Sequence, residues 1–299
     1  MKLGILDFSY ANTKKSVQKL RDDAFYTINL GDNAQSIAAR DLLSRVGYDA
    51  SNIVTVDRDM LASYSGEPVA LIMNGVFFER NFPVPDAVIP IFVGFCTKSE
   101  RLIRDHSEWF KRFQPVGCRD VETARMLTAA GIQATVTGCV TMTFPRRTRA
   151  PDKSRMFIVY GSGAGKLPSA VLKHIPHDLL DDAEFIYHRL PVNEMPLTEA
   201  SRRWIEHYEE GLLGRYRKEA SLVLTPLLHV ATPCLAMGVP LVLCRTNWDT
   251  RFGFVEKFTR IYTPDDVSEV VWRCEAPDIR GEAELFVEDL RLKITKATA

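Results

Sequence analysis

The 299-residue chain lacks long apolar runs and an excess of charge of either sign. No stretch approaches the roughly 20 apolar residues of a membrane-spanning helix, which excludes such a helix of ordinary length. Lysine plus arginine and aspartate plus glutamate both number 38, so no overall field attracts nucleic acid or anionic lipid. Local patches still allow peripheral contact with a membrane. The opening MKLGILDFSY is too short an apolar run for a signal peptide and predicts a first strand.

Closely spaced cysteine pairs are also absent. Most of the six cysteines lie singly in apolar segments, at Cys96, Cys118, Cys139, Cys234, Cys244 and Cys274. This spacing argues against a zinc site or a disulfide framework. It predicts reduced core cysteines and a cytoplasmic protein, with the inner face of the membrane as a further location.

Short apolar runs alternate with longer amphipathic segments along the whole chain. Several runs are apolar on both faces, as strands buried between two helix layers must be. The segment DNAQSIAARDLLSRVG predicts a helix that ends at Gly47, and DVETARMLTAAG predicts one that is capped by Asp120 and ends at Gly131. The pattern therefore predicts an α/β fold.

The basic, proline-flanked segment 145–155 interrupts this alternation and is the best candidate for a linker. We therefore predict two Rossmann-like doubly wound domains, 1–147 and 148–299, that face each other across a cleft. The closing helix EAELFVEDLRLKITK is assigned to the second domain. Ligands of such folds bind beyond the carboxyl ends of the strands, where helix N-termini also point.

His229 lies at such an edge, between strand SLVLT and the short helix VATPCLAMG. An imidazole titrates near neutral pH and suits proton transfer or an anion contact. A half-buried histidine satisfied by a backbone carbonyl explains the same position without any function.

Two further strand ends carry candidate residues. In Asn29-Leu30-Gly31-Asp32, the glycine permits a tight turn or a close backbone approach to a ligand. Asp32 and Gln35 form a capping-box pattern that would explain both residues structurally. Arg119, before Asp120, can fork onto a carboxylate or phosphate, or pair with a neighbouring acid.

Two weaker signals remain. GSGAGK at 161–166 fits neither the phosphate-loop nor the dinucleotide spacing, and predicts a flexible glycine loop with Lys166 at the cleft. A basic cluster predicts a solvated helix face, or else a patch for an anionic acceptor or a membrane surface. The cluster comprises Arg202, Arg203, Arg215, Arg217 and Lys218.

Taken in order, four segments resemble the polysaccharide pyruvyl transferase family. They are NLGDNAQSIAA, the strand leading into Asn74-Gly75, GCRDVETARMLTAAGIQATVTGC and LVLTPLLHVATPCLAMGVPLVL. The resemblance implies two Rossmann-like domains arranged as in GT-B glycosyltransferases, with the acceptor side first and the donor side second. It also implies transfer of a carboxyethylidene group from phosphoenolpyruvate to two hydroxyls of a sugar in a cell-surface polysaccharide or its precursor. No metal or other cofactor is implied.

The resemblance assigns roles to three residues. Asp32 matches the acid of the N-x-G-D turn, Arg119 the arginine of the R-D motif, and His229 the histidine of the R-L-H motif. It implies His229 in proton transfer or phosphate contact, Arg119 on the donor anion, and Asp32 on acceptor hydroxyls or as a base. Asn29, Gly31 and Lys166 are further substrate-binding candidates.

The sequence departs from the family pattern in two places. Leu227 stands where the R-L-H arginine is expected, and Asn74-Gly75 replaces a glycine pair. Three explanations stay open: another arginine supplies the missing guanidinium, with Arg245 and Arg251 the nearest later candidates, or the donor is held differently, or the substrate has changed.

Two other functions stay open. One is a GT-B glycosyltransferase that uses a nucleotide sugar, since a fold does not settle a function. The other is a homologue without catalysis that binds a glycan or a partner protein, an alternative that the leucine at 227 keeps open. The acceptor can be a free sugar, a glycan or a lipid-linked oligosaccharide.

Overall fold

The computed structural model describes residues 1–298, which form a mixed α/β fold. The strands are β1 (Lys2–Asp7), β2 (Tyr26–Asn29), β3 (Ile53–Asp57), β4 (Val69–Ile72), β5 (Gly75–Val76), β6 (Val88–Ile91), β7 (Phe95–Cys96), β8 (Val116–Cys118), β9 (Ala134–Val136), β10 (Arg155–Tyr160), β11 (Glu184–Tyr187), β12 (Arg189–Val192), β13 (Ala220–Thr225), β14 (Leu241–Cys244) and β15 (Ile261–Tyr262). The α-helices are α1 (Lys14–Asp23), α2 (Gly31–Arg45), α3 (Glu100–Asp105), α4 (Ser107–Arg112), α5 (Val121–Ala129), α6 (Ser169–Leu172), α7 (His177–Leu180), α8 (Glu199–Glu219), α9 (Leu228–Met237) and α10 (Arg280–Thr298).

Three parallel sheets organise the fold. The first has the order β3-β1-β4-β6, and the second, β5-β7-β8-β9, continues it beyond the ends of β4 and β6. In the first sheet, Leu3 lies opposite Ile53 on one side and Ala70 on the other. The third sheet has the order β11-β10-β13-β14-β15. The first two sheets lie in residues 1–147 (the first half) and the third in residues 148–298 (the second half), consistent with Rossmann-like α/β units.

One strand of the first half pairs outside these parallel sheets. Strand β2 forms an antiparallel pair with β12 of the second half, in which Asn29 lies opposite Arg189. Nearby, Arg202 of α8 contacts the Asp7 carboxylate at 3.0 Å. Backbone and side-chain contacts therefore join the two halves.

The predicted helix signals are confirmed where they can be checked. The Asp120 carboxylate accepts from the backbone N–H of Thr123 at 2.8 Å, so it caps α5. Gly131, after α5, has a φ of +75°, and Gly47, after α2, has a φ of +97°. Both are left-handed conformations that glycine adopts without strain.

The closing helix departs from its predicted place. Phe286, Leu290 and Ile294 of α10 are buried in one core cluster with residues of β4 and β6 in the first sheet, the strands on which this helix packs. The helix that the sequence assigns to the second domain therefore packs on the first half. Its apolar stripe predicts a buried face, but it does not say which sheet is buried beneath it.

Two further expectations concern the state of the cysteines and the absence of a membrane-spanning helix. The six cysteines within residues 1–298 are free thiols, and Cys274 is partly buried whereas the other five are buried. No helix of these residues is both long and apolar enough to cross a membrane.

Candidate active site

Arg119 and His229 come from different halves of the fold and meet. The Nη1 atom of Arg119 lies 3.3 Å from Nε2 of His229. Arg119 follows β8, and its backbone N–H donates to the Phe95 carbonyl at 2.8 Å. His229 lies in the first turn of α9, just beyond the carboxyl end of β13. The strand-end rule thus places both residues at one site.

Amide side chains of the first half hold the arginine. The Arg119 guanidinium donates through Nη2 to Oε1 of Gln35, and the same oxygen accepts from the Asn74 amide at 3.0 Å. The Asn74 oxygen in turn accepts from the backbone N–H of Val140 at 2.9 Å. In residues 1–298 no carboxylate lies within 4.0 Å of Arg119, so its positive charge is not neutralised by an ion pair. Its buried Nε has no hydrogen-bond partner among these residues.

Gly31 lets His229 approach the start of α2. A Cβ atom on Gly31 would lie 2.5 Å from the Cβ of His229 and 2.7 Å from its Nδ1. These separations are far below the 3.5–4.0 Å at which carbon atoms ordinarily meet. The close approach that the sequence predicts at Gly31 is therefore to a side chain of the other half.

The surroundings of His229 favour the neutral imidazole. Burial lowers its pKa well below 6.5, and the charges of Arg119 and Arg251 lower it further. Because a guanidinium can only donate, Nε2 of His229 accepts from Arg119, and the ring proton resides on Nδ1. The alternative of a histidine satisfied by a backbone carbonyl is wrong, since its partner is a guanidinium.

Asp32 lies beside this pair in a polar group. Its carboxylate accepts from the Tyr10 hydroxyl at 2.9 Å and from the Asn29 amide at 3.4 Å. Burial and the charge of Asp32 raise the pKa of Tyr10 well above 10.0, so the phenol stays protonated. The Asn29 oxygen accepts from the backbone N–H of Gly31 at 3.3 Å. Asn29 and Asp32 are therefore linked by hydrogen bonds at the start of α2.

The predicted capping box at Asp32 and Gln35 is wrong. Helix α2 begins at Gly31 with Leu30 as its N-cap, and no side chain caps it. Gln35 instead donates to the Gly31 carbonyl at 3.4 Å and supports Arg119 through its oxygen. Asp32 bonds to Tyr10 and Gln35 to Arg119, so neither side chain caps the helix.

A cleft of about 690 Å³ opens beside these residues. Its lining comes from strand ends of the first half, including Asn29 and Asp32, and from Arg189 and Arg251 of the second half. The lining contains five cations and two acids: Arg58, Arg80, Lys98, Arg189 and Arg251, with Asp32 and Glu79. Behind this lining Asp59 pairs with Arg58 and Arg80, and Asp249 pairs with Arg251, so the cationic cleft keeps a small excess of positive charge that suits an anionic ligand.

Other predicted residues lie apart from the cleft lining. Arg119 and His229 lie beside it, and Arg119 is only 2% exposed. Lys166 is exposed on the glycine loop. Arg245 is buried, donates to the carbonyls of Pro226 and Asn247, and lies 4.1 Å from the centroid of the Phe252 ring. Its guanidinium supports the loop that precedes α9.

Leu227, which stands where the resemblance implies an arginine, lies against the glycine loop. A Cβ on Gly165 would be 2.7 Å from Cδ2 of Leu227, and one on Gly161 would be 3.4 Å from it. The basic cluster of α8 is divided among separate ion pairs, since Arg202 contacts Asp7 at 3.0 Å and Arg215 contacts Glu184.

Sequence reasoning missed several cleft residues that follow strands. Arg58 directly follows β3, is 5% exposed, and donates to the Asp59 carboxylate at 3.0 Å. Arg80 lies 3.6 Å from the same carboxylate. Position after a predicted strand is the signal that could have found Arg58. Arg189, however, lines the cleft because β12 pairs with β2 of the other half, and no local sequence pattern predicts that pairing.

The chain was compared with solved structures, with curated proteins and with protein-family models. A structure of a functionally uncharacterised protein from Klebsiella pneumoniae is 11% identical over 82% of this chain and 94% of the other, with a TM-score of 0.46. The accessory secretory protein 1, 2 and 3 structure from Streptococcus pneumoniae is 12% identical over 81% of this chain and 53% of the other, with a TM-score of 0.36. No curated protein gives a significant match. Residues 29–247, more than half of the chain, match the family model described as polysaccharide pyruvyl transferase, and the chain therefore belongs to that family.

Proposed function

We propose that the protein transfers a carboxyethylidene group from phosphoenolpyruvate to two hydroxyls of a sugar in a cell-surface polysaccharide or its precursor. The observation that carries the proposal is the contact of Arg119 with His229 at 3.3 Å, between the two halves and beside a cationic cleft. Membership of the family supports this donor over a nucleotide sugar.

Phosphoenolpyruvate has a carboxylate and a phosphate close together, and the site offers matching donors. Arg119 has no carboxylate partner in residues 1–298, and its Nε is an unused buried donor. A guanidinium can form two parallel hydrogen bonds to a carboxylate or a phosphate. The donor anion would accept hydrogen bonds from Arg119 in place of His229, and Nε2 of His229 would then be free to take part in the reaction.

The proposed reaction balances without an added oxidant or metal. The enol methylene carbon gains a proton and becomes the methyl group, and the adjacent carbon forms two C–O bonds to the sugar. The C–O bond to phosphate breaks, and its electron pair leaves with the phosphate. The two hydroxyls lose two protons, which equal the one gained by carbon and the one gained by phosphate.

His229 and Asp32 are the groups placed to move these protons. His229 is neutral in the free site and can therefore accept a proton from an acceptor hydroxyl, and a bound anion would raise its pKa so that it can hold the proton and return it. Asp32 accepts from Tyr10 and Asn29, which fixes its carboxylate at the cleft, where it can bind or deprotonate an acceptor hydroxyl.

We further propose that residues 1–147 form the acceptor side and 148–299 the donor side of a GT-B-like arrangement. Support comes from the cleft, which takes residues from both halves, and from the parallel sheets within each half. The reaction belongs to the cytoplasm, at the membrane surface where the acceptor is lipid-linked.

The direct test is to incubate the protein with phosphoenolpyruvate and a panel of glycans. Phosphate release together with a sugar mass gain equal to one carboxyethylidene group would support the proposal. Calorimetry separates the rivals, because a glycosyltransferase would bind a nucleotide sugar instead. Binding of a glycan with neither donor would favour a homologue without catalysis, the alternative that Leu227 keeps open.

Two substitutions test the assigned residues. Replacement of His229 by Ala should reduce turnover by about 10²- to 10⁴-fold, the usual contribution of a general acid or base. Arg119→Ala should weaken donor binding and turnover together. His207→Ala and Arg125→Ala are matched controls, since both side chains are exposed, lie outside the cleft lining and should retain full activity. Full rates in His229→Ala and Arg119→Ala would refute the assignment.

A further inference from the structure

A three-residue ion cluster lies at the side of the cleft that the second half forms. Arg251 donates through Nε and Nη2 to the two oxygens of Asp249, at 2.9 and 2.7 Å. Lys98 of the first half lies 3.7 Å from the same carboxylate. Two cations share one anion, so the cluster keeps a net charge of one positive unit.

The fork leaves one part of Arg251 available. In residues 1–298 no acceptor contacts its Nη1, and Arg251 lines the cleft with 30% of its side chain exposed. The short 3-10 turn Thr250–Phe252 packs against α5, which begins just after Arg119. The charge of Arg251 also lowers the pKa of His229. Arg251 therefore lies at the same site as Arg119 and His229.

Leu227 and Arg245 cannot supply this guanidinium. Leu227 lies against Gly161 and Gly165 with an apolar side chain, and Arg245 is buried on Pro226 and on the Phe252 ring. The R-L-H motif that the resemblance implies would place an arginine at position 227, two residues before the histidine. In this chain, a cation that is free to meet a ligand comes from the loop after β14.

We propose that Arg251 binds the carboxylate or the phosphate of the donor in place of an arginine at 227, and that Asp249 is its positioning residue. The inference rests on the proposed donor, phosphoenolpyruvate. The bidentate fork fixes the plane of the guanidinium, which lowers the entropy that is lost when Nη1 meets an anion. Lys98 keeps Asp249 from cancelling the charge of Arg251.

Calorimetry with phosphoenolpyruvate tests the role of Arg251. Arg251→Gln should weaken donor binding about 10- to 100-fold, as expected for a lost hydrogen bond to a charged group. Arg251→Lys keeps the charge without the fork and should bind with intermediate affinity. Arg260→Gln is the control: Arg260 is exposed, pairs with Asp266 at 2.8 Å, and lies outside the cleft lining.

Asp249→Asn separates positioning from simple charge. Removing a negative charge near the site would tighten binding of an anion if only the local field mattered. Loss of the bidentate contact between Arg251 and Asp249 should instead weaken donor binding, with a raised KM for the donor and a smaller change in kcat. Tighter binding in this variant would overturn the positioning role.

A double variant that moves the guanidinium from position 251 to position 227 tests whether Arg251 replaces an arginine at 227. Leu227 is partly exposed and is the N-cap of α9, so an arginine there would begin at the same helix end as His229. Leu227→Arg in the Arg251→Gln background should restore much of the lost affinity. A folded double variant that binds no better than Arg251→Gln would contradict the replacement. If the double variant does not fold, the order of wild type, Arg251→Lys and Arg251→Gln decides.

The outcomes distinguish the two proposals. A wild-type protein that does not bind phosphoenolpyruvate contradicts the proposed function. Wild-type binding with an unchanged Arg251→Gln contradicts only the role of Arg251.

Discussion

Replacing Gly31 by alanine would place a methyl carbon against the imidazole of His229. The added Cβ would be 2.5 Å from the Cβ of His229, whereas carbon atoms ordinarily meet at about 3.5–4.0 Å. The histidine or the start of α2 must therefore shift by about 1 Å. A misplacement of that size at a reacting group can reduce a rate on the order of 100-fold.

The same substitution should change stability much less. Overpacking costs about 1–3 kcal/mol. Alanine recovers up to about 1 kcal/mol over glycine in a helix. The prediction for Gly31→Ala is a large loss of turnover with a net destabilisation of at most about 3 kcal/mol. Phosphate release and urea unfolding, measured on the same preparation, check the two halves of this prediction.

Gly211→Ala provides the matched control. Gly211 lies inside α8, and a Cβ there would meet nothing within 4 Å. This variant should gain about 0.5–1 kcal/mol of stability and keep full turnover. Wild-type turnover in folded Gly31→Ala would refute the claim that His229 must hold its place against α2.

Three further outcomes are expected. Because the pKa of His229 is lowered, kcat/KM should stay level as pH falls from neutrality and drop only once the imidazole is protonated; a drop near the ordinary histidine pKa would contradict this. Glu209 and His188 are buried with 3.0 Å between Oε2 and Nε2, but hydrogen-bond geometry is lacking and neither atom has another partner in residues 1–298. Replacing both, as Glu209→Leu with His188→Phe, removes these unsatisfied buried groups together and should leave stability in urea unfolding unchanged or higher, and a large loss of stability would contradict this. Burial raises the pKa of Asp7 above 3.8 despite Arg202, so the folded state binds the proton more tightly, and stability should rise as pH falls through that raised pKa; Asp7→Asn should lose this rise in a pH series of unfolding curves.

Local patterns predict the elements of this fold well. The helix that Asp120 caps and Gly131 ends is present, because its cap and its left-handed end depend on neighbouring residues alone. Ala34, Ile37 and Leu42 are buried along α2, as their helical spacing predicts. Side-chain periodicity thus carries enough information for elements and their buried faces.

Pairings between the halves could not be predicted in this way. Strand β2 pairs with β12, and α10 packs on the first sheet. The sequences of β2 and α10 do not predict which element each one contacts. The same limit explains the capping-box error at Asp32. A local hydrogen bond competes there with Tyr10, whose position after β1 depends on the whole fold.

The candidate site shows the same division. Arg119 and His229 could be selected because Arg119 lies between a strand and a helix, and His229 lies in the first turn of a helix that follows a strand. The 3.3 Å contact between them depends on how the halves meet. The fork of Arg251 on Asp249 spans only two residues in sequence, yet its significance depends on the cleft that both halves line.

The most direct test is an NMR titration of His229 with selectively labelled histidine, with and without phosphoenolpyruvate. The free protein should show a pKa well below 6.5, and the bound donor should raise it because an anion then lies beside the imidazole. An unchanged His229 titration in the presence of saturating donor would contradict the site described here.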